Sequence, residues 1–295
     1  MSQLINKVRT AAGDLQINYE ALANLPANPV NPNLLINGDF QIWQRKEEFT
    51  NISNAYCADR WQIKNATTTP TATVKKSVGV PDGQLMTQSM YLKETANANT
   101  YLRYNFETPI KGTFTLSFWY KSSMPITSYV YDNGQSVKLM ELETSGTWQR
   151  AMVYFTATSA SYINVIHAMN IGECFIAGVK LEVGKKVTPF VPRNYTEELL
   201  ACQRYYEKRS VRFIPLGCTT PSTYYIAIDG GHHFVQKRVD PTITMGKFYN
   251  NENVEVPVTA TTITSSIGGI TAITLNTECN QLAMHSQVEF DAEIN

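Results

Sequence analysis

The sequence has few charged residues and no block of charge of one sign. Asp, Glu, Lys and Arg make up 17% of the 295 residues, and the 25 basic side chains balance the 25 acidic ones. Proteins that bind nucleic acid through its phosphates cluster Lys and Arg, so this balance excludes a nucleic-acid partner of that kind. No apolar run approaches the roughly 18 residues of a membrane-spanning helix, so we predict no membrane insertion. The N-terminus lacks a basic segment followed by an apolar one, and we expect no cleavable secretory signal.

Motifs of the common enzyme and metal sites are missing as well. The chain contains no H-E-x-x-H pair, no Walker or dinucleotide-binding glycine loop and no G-x-S-x-G elbow. Of the four histidines, His232 and His233 are adjacent, and adjacent residues of a strand point to opposite faces. They are therefore poorly placed to share one metal ion. We predict a protein that is not an enzyme, with no catalytic residues, no metal ligands and no cofactor.

The cysteines do not suggest a disulfide framework. Their number is odd, they form no C-x-x-C pair, and they are widely separated. They are Cys57, Cys174, Cys202, Cys218 and Cys279. We predict free, buried thiols in a protein made in a reducing cytosol.

An all-β pattern extends from residue 33 to about residue 193. Apolar and polar residues alternate over 113–120, which is typical of a half-buried strand. Asp-Asn-Gly at 132–134 is a hairpin-turn signal between two β-prone runs. Residues 148–156 and 162–169 predict two further strands. Many short strands of this kind favour an antiparallel sandwich over a parallel sheet.

The N-terminal segment, 1–32, carries a heptad-like spacing of apolar residues and ends in a proline-rich linker. Gly13 and Asp14 interrupt the heptad and lower its helix propensity. The spacing fits an amphipathic helix, a segment that folds only on a partner, or a short self-associating coil. The candidate residues for attachment or oligomerisation are Leu4, Val8, Leu15, Leu22 and Leu25.

The last third, 194–295, predicts a short helix followed by a second, smaller β domain. Thr196 lies at a helix cap position, and two glutamates follow it, so we predict a helix over 196–209. Alternating strands and glycine turns resume over 210–295. Aromatic residues and one histidine lie near these turns, where they either converge on a ligand or pack within a core or between subunits. The receptor-binding candidates are Tyr224, Tyr225, His232, Phe248 and Tyr249.

Four ordered motifs carry a resemblance to known families. They are NLLINGDF (33–40), ADRW (58–61), CFIAGVKLEVG followed by TPF (174–190), and EELLACQRYYEK (197–208). The first and third resemble the opening and closing strands of galactose-binding-like β-sandwiches of the carbohydrate-binding-module type. With the second and fourth, the set resembles fibre proteins of tailed bacteriophages.

The resemblance implies a mostly β chain: an antiparallel, jelly-roll-like sandwich (33–193) behind a helical or extended N-terminal tether. It implies that the chain is a structural protein of a virion, namely a tail fibre or a similar fibre or spike subunit. Such a subunit contributes to adsorption on the host surface. Such a protein is synthesised in the host cytoplasm, forms a homotrimer, contacts other virion proteins through its N-terminal segment and binds a cell-surface glycan. The alternatives are an architectural collar or baseplate adaptor, and a glycan-binding module attached to a depolymerase.

The resemblance also assigns roles to individual residues. Trp61 is a core residue in the resembling family, and Phe40 and Leu181 should lie in the core between the opening and closing strands. That family often holds a structural calcium near these strands, where this chain offers Asp39 and Glu182. Gln41 and the pair 177–178 depart from the acidic pattern of that site, so we predict no calcium. Aromatic residues at 101, 104, 129 and 131 lie on strands whose alternation must turn some of them outward.

Overall fold

The protein is mostly β-strand, with one helix among the residues that can be placed. The computed structural model describes residues 7–10, 13–16, 31–65, 71–96, 99–215, 224–228, 235–250, 252–256, 259–266, 269–276 and 284–294. The helix, α1 (Tyr195–Gln203), separates two β regions. Within the described part of the chain, no helix is long and apolar enough to span a membrane.

The strands fall into an N-terminal hairpin, a ten-stranded sandwich and a seven-stranded C-terminal sheet. The hairpin is β1 (Lys7–Thr10) and β2 (Gly13–Gln16). The sandwich is β3 (Glu48–Ile52), β4 (Ala55–Tyr56), β5 (Trp61–Asn65), β6 (Ala72–Ser77), β7 (Ser89–Glu94), β8 (Thr100–Ser122), β9 (Ile126–Asp132), β10 (Gln135–Leu142), β11 (Ser145–Ala168) and β12 (Gly172–Val183). The C-terminal sheet is β13 (Tyr206–Pro215), β14 (Tyr224–Ile228), β15 (Thr242–Asn250), β16 (Glu255–Val256), β17 (Thr259–Ser266), β18 (Gly269–Asn276) and β19 (Met284–Asp291).

Two long strands, β8 and β11, belong to both sheets of the sandwich. The front sheet has the order β4-β5-β8-β11-β9-β10 and uses residues 100–105 of β8 and 162–168 of β11. The back sheet has the order β3-β6-β7-β12-β8-β11 and uses residues 113–122 and 145–157 of the same two strands. The pairing register shifts between these two parts of β11, where the strand passes from one sheet to the other.

The predicted sandwich is confirmed, and the prediction of two separate strands between residues 148 and 169 needs correction. Asn133 and Gly134 both have positive φ angles and join β9 to β10, as the hairpin signal predicts. The separate strands predicted over 148–156 and 162–169 are one continuous strand, β11. The Ser, Thr and Ala residues between them form a register shift instead of a turn.

The core lies between the two sheets. Leu102 and Ile163 of the front sheet and Leu92 and Leu116 of the back sheet are fully buried in one cluster. The buried free thiols are confirmed for the three cysteines that the structure describes; these are Cys57, Cys174 and Cys202. The remaining two, Cys218 and Cys279, lie outside the described residues.

The opening segment, 34–40, lies beside the closing strand β12, as predicted. The backbone N–H of Leu34 donates to the carbonyl of Leu181 (2.9 Å), and that of Val179 donates to the carbonyl of Gly38 (2.7 Å). Burial of Leu181 in the core is confirmed as well.

The prediction that 34–40 is itself a strand is wrong, because its backbone turns too tightly. Asn37 and Phe40 have φ angles of 57° and 56°, in the left-handed region that breaks a strand. Between them, a Cβ on Gly38 would lie 2.2 Å from the carbonyl oxygen of Val179. Only glycine allows the turn to approach β12 this closely.

The N-terminal segment is extended where the structure describes it. Strands β1 and β2 pair antiparallel, with Val8 opposite Leu15. The helical alternative for 1–25 is therefore wrong at these residues, and Gly13 begins the second strand. The other attachment candidates, Leu4, Leu22 and Leu25, lie outside the described residues.

The helix is shorter than predicted, and the second β domain starts earlier. Asn194 is the N-cap instead of Thr196, and its Oδ1 accepts from the Thr196 N–H (2.9 Å). The predicted continuation to residue 209 is wrong, because residues from Tyr206 onward pair with β19 in the second sheet. That sheet, with the order β16-β15-β19-β13-β14-β18-β17, is the predicted smaller β unit.

Candidate functional site

The motifs of the sandwich and the helix region form one buried network. Asn37 is fully buried, and its side-chain amide donates to the carbonyls of Ile42 (2.9 Å) and Asp59 (3.0 Å). Its backbone N–H donates to the carboxylate of Glu198 on α1. The first, second and fourth motifs are therefore joined by hydrogen bonds beneath the surface, where a large ligand has no access.

The ADRW motif joins the sandwich to the end of the chain. The guanidinium of Arg60 forms a salt bridge with Glu293, donates to the carbonyl of Asn105 (2.8 Å) and lies 3.7 Å from the ring centroid of Tyr205. Arg60 and Glu293 side chains are each 1% exposed. Trp61 is fully buried, which confirms its predicted place in the core. This motif therefore attaches the sandwich to the last described residues of the chain and does not form a ligand site.

The two carboxylates at the expected calcium position have partners within the chain. The Glu182 carboxylate accepts from the backbone N–H (2.9 Å) and hydroxyl (2.6 Å) of Thr188, and the Lys180 ammonium lies 3.3 Å away. Asp39 accepts a hydrogen bond from the side chain of Gln41. Among the described residues, no three His, Cys, Asp or Glu side chains are gathered in a metal-binding arrangement.

Replacing Asp39 with asparagine is expected to stabilise the protein at pH 8 and to remove part of its pH dependence. Burial, together with the charge of Glu198, raises the pKa of Asp39 to about 6. The folded protein then binds more protons than the unfolded chain between about pH 4 and 6, so wild-type stability falls as the pH rises through that range. The stability gain in the variant should grow by on the order of 2 kcal/mol between pH 4 and pH 8.

Urea unfolding of both proteins at the two pH values measures this difference. Asparagine retains an oxygen that can accept from Gln41, so the local hydrogen bond is preserved. Asp82→Asn changes an exposed aspartate and should leave the pH profile unchanged. If the free energy of unfolding changed with pH equally in wild type and in Asp39→Asn, Asp39 would not titrate as described.

The outer face of the front sheet carries a different kind of side chain. Arg103 of β8, Tyr162 of β11 and Tyr131 of β9 form a stack across three neighbouring strands. The Arg103 guanidinium carbon lies 3.7 Å from the Tyr162 ring centroid, and the Tyr162 and Tyr131 rings are parallel within 4° at 4.7 Å. All three side chains are partly exposed.

A second stack crosses the same three strands. The rings of Tyr101 and His167 lie 4.1 Å apart and are parallel within 10°, and Tyr129 meets His167 edge-on at 5.7 Å. We call the six residues of the two stacks the aromatic face. It consists of Tyr101, Arg103, Tyr129, Tyr131, Tyr162 and His167.

Hydrogen bonds fix the polar members of the aromatic face. Arg103 Nε donates to Asn164 Oδ1 (2.9 Å), which places the guanidinium against Tyr162. His167 Nε2 donates to Asn99 Oδ1 (3.2 Å), and its buried Nδ1 has no partner among the described residues. Burial lowers the pKa of His167, so its ring is neutral at pH 7. A guanidinium held in one orientation is a feature of a binding surface more than of a solvated one.

A pocket of about 340 Å³ opens on this face. Its volume lies within the roughly 300–1,000 Å³ of small-molecule sites. Aromatic rings, amides, a hydroxyl and two cations line it, and none of its lining residues is acidic. They are Asn54, Lys64, Asn65, Tyr101, Arg103, Ser136, Tyr162 and Asn164. This is the candidate functional site.

The structure describes the side chains of two of the predicted receptor-binding residues, Phe248 and Tyr249. Phe248 is 4% exposed and belongs to the interior, so its proposed surface role is corrected. Tyr224 and Tyr225 lie on β14, opposite Leu275 and Thr274 of β18. His232 lies outside the described residues.

Among the predicted receptor-binding residues, Tyr249 lines a cavity in the described part of the chain. Its ring stacks on His285 at 5.7 Å, beside Ser210, Lys247 and Gln287, around a volume of about 420 Å³. Lys247 is paired with Glu255 (2.7 Å). This second cavity holds one stacked pair of rings. The aromatic face holds two stacks, and the pocket that opens on it is lined by two cations without a carboxylate partner among the described residues.

No protein-family model matches the chain, and no curated protein matches it. Solved structures with a similar fold include the enzymatically active domain of tailspike protein 4 from bacteriophage CBA120, with 21% identity and a TM-score of 0.39. That likeness covers 52% of this chain and 21% of the tailspike chain, so this protein spans a minor part of its length.

Two carbohydrate-binding modules are similar over about half of this chain. The CBM22-1 xylan-binding domain from Paenibacillus barcinonensis is 12% identical, with a TM-score of 0.38, and the match covers 55% of this chain and 100% of the module. TmCBM61, solved with β-1,4-galactotriose, is 16% identical, with a TM-score of 0.36, and the match covers 52% and 99%. At these TM-scores the likenesses carry no inference about ligand or activity.

Proposed function

We propose that the protein is a glycan-binding structural subunit of a bacteriophage virion, a tail fibre or similar fibre or spike protein that contributes to adsorption on the host surface. The aromatic face is the observation that carries glycan binding. Apolar faces of sugar rings pack on tyrosine rings, and amide and hydroxyl groups bond sugar hydroxyls. The pocket combines Tyr101 and Tyr162 with three asparagines and a serine.

The ordered motif set over 33–208 supports the virion part of the proposal, through its resemblance to fibre proteins of tailed phages. We propose that three copies assemble in the particle and that the N-terminal segment, 1–32, contacts other virion proteins. Mass spectrometry of purified particles should detect this chain. Its absence from the particles would overturn the virion role without affecting glycan binding.

Replacing Tyr162 with alanine is expected to weaken glycan binding about tenfold or more. The Tyr162 ring packs against Arg103 and Tyr131 and lines the pocket, so its loss removes part of the pocket wall and the packing of two neighbours. An array of bacterial surface oligosaccharides, probed with the full chain, identifies a ligand. Titration calorimetry then measures its affinity for the variant.

Tyr154 supplies the matched control. It lies on the same strand, β11, but in the back sheet, where it is 60% exposed and a lysine ammonium lies 5.4 Å from its ring. Tyr154→Ala should retain the wild-type affinity. Equal losses in both variants would contradict the assignment of the site, and an array with no bound glycan would contradict glycan binding itself.

A further inference from the structure

The pocket on the aromatic face contains two cations and no acidic side chain. Lys64 of β5 lies opposite Tyr101 in the strand register, and Arg103 lies two residues further along β8 on the same face. Both side chains line the pocket and are partly exposed. Among the described residues, neither has a carboxylate within 4.0 Å, whereas Lys247 beside the second cavity pairs with Glu255.

The two cations line the same pocket and disfavour each other. Burial lowers the pKa of Lys64, and the charge of Arg103 lowers it further. Burial also lowers the pKa of Arg103. Two partly desolvated like charges without an anion are an unfavourable arrangement, which a bound anion would relieve.

The arrangement of Arg103 also suits an anion. Its Nε is occupied by Asn164 and its face by Tyr162, which holds the planar group in one orientation. A fixed guanidinium donates pairs of hydrogen bonds to carboxylate or sulfate oxygens. Lys64 adds a flexible point charge from the neighbouring strand.

We infer that the pocket takes a sugar residue bearing an anionic group, a carboxylate or a sulfate ester, held between Lys64 and Arg103. This inference rests on the proposed glycan-binding function. The ring of the same sugar lies beside Tyr101 and Tyr162, and Asn65 and Asn164 face its hydroxyls. A neutral sugar would leave both cations without a partner.

The test compares matched pairs of oligosaccharides with the full chain. One pair is a galacturonan oligomer and its carboxyl-reduced form, and the other is dextran sulfate and dextran. Calorimetry should show at least about tenfold tighter binding of the acidic member of a pair, which identifies the anionic group. The preference should weaken as the salt concentration rises.

Two lysine variants separate pocket binding from general attraction of a polyanion. Lys64→Gln should reduce the affinity for the acidic oligosaccharide about tenfold more than the affinity for the neutral one, so that the preference for the acidic member is lost. Lys185→Gln removes an exposed charge of the same sign beside the back sheet and should change neither affinity.

Each outcome decides between the two proposals. Equal or tighter binding of the neutral member in both pairs overturns the anionic specificity and leaves glycan binding in place. Equal effects of Lys64→Gln and Lys185→Gln also overturn it, since the attraction would then be unspecific. Failure to bind any of the four probes, together with a silent glycan array, overturns the proposed function and this inference with it.

Discussion

Truncating Phe40 to alanine is expected to lower the free energy of unfolding by about 3–5 kcal/mol. The Phe40 side chain is fully buried, and its ring lies 5.1 Å from that of Trp61. Its loss leaves a cavity at the point where the opening segment meets the core. Alanine has the same backbone strain as phenylalanine at this positive φ angle, so the change isolates side-chain packing.

Urea unfolding of the full chain measures this change, followed by tryptophan fluorescence because Trp43 and Trp61 lie near the cavity. Tyr154→Ala, which removes an exposed ring from the back sheet, should cost less than about 0.5 kcal/mol. Similar unfolding midpoints for Phe40→Ala and wild type would mean that residue 40 is not part of the core.

The opening segment shows what a sequence motif can predict and what it leaves open. The resemblance of the motif to the opening strand of carbohydrate-binding-module sandwiches correctly predicts that residues 34–40 lie beside β12. It does not reveal that Asn37 and Phe40 are left-handed or that Gly38 contacts the Val179 carbonyl. Those features depend on the position of β12, about 140 residues later in the chain.

The N-terminal hairpin shows how one spacing fits two structures. Val8 and Leu15 are seven residues apart, which places them on one face of a helix and also opposite each other across a tight hairpin. The spacing of the apolar residues fits both structures and could not distinguish a helix from a hairpin. The local signal against a helix was the presence of Gly13 and Asp14, which lower helix propensity.

The candidate site was harder to predict than the fold, because its stacks join strands that are distant in sequence. Alternation requires some of the aromatic residues at 101, 104, 129 and 131 to face outward, and Tyr104 is the buried one. The roles of Arg103 and His167 depend on the register of β8 with β11 and of β11 with β9. The signal for the site in the sequence was the presence of polar and aromatic residues at alternate positions of a strand, such as Tyr101 and Arg103.

Removing the carboxylate of Glu293 is expected to cost about 3–5 kcal/mol, because it leaves buried positive charge without a partner. Glu293 forms a salt bridge with Arg60 and lies 3.6 Å from the guanidinium of Arg45. Arg45 in turn lies 3.6 Å from the ring centroid of Tyr206, at the start of the C-terminal sheet. Glu293→Ala therefore weakens both the interior of the sandwich and the attachment of the second sheet.

Glu289 provides the control for this variant. It pairs with Lys208 (2.8 Å), but both side chains are partly exposed, and such a pair contributes less than about 1 kcal/mol. Chemical unfolding should place Glu289→Ala near wild type and Glu293→Ala far below it. Limited proteolysis should also cleave Glu293→Ala first near the junction at α1, since the buried pair connects the sandwich to the chain's last residues. Equal stabilities of the two variants would mean that the ADRW motif does not hold the two β regions together.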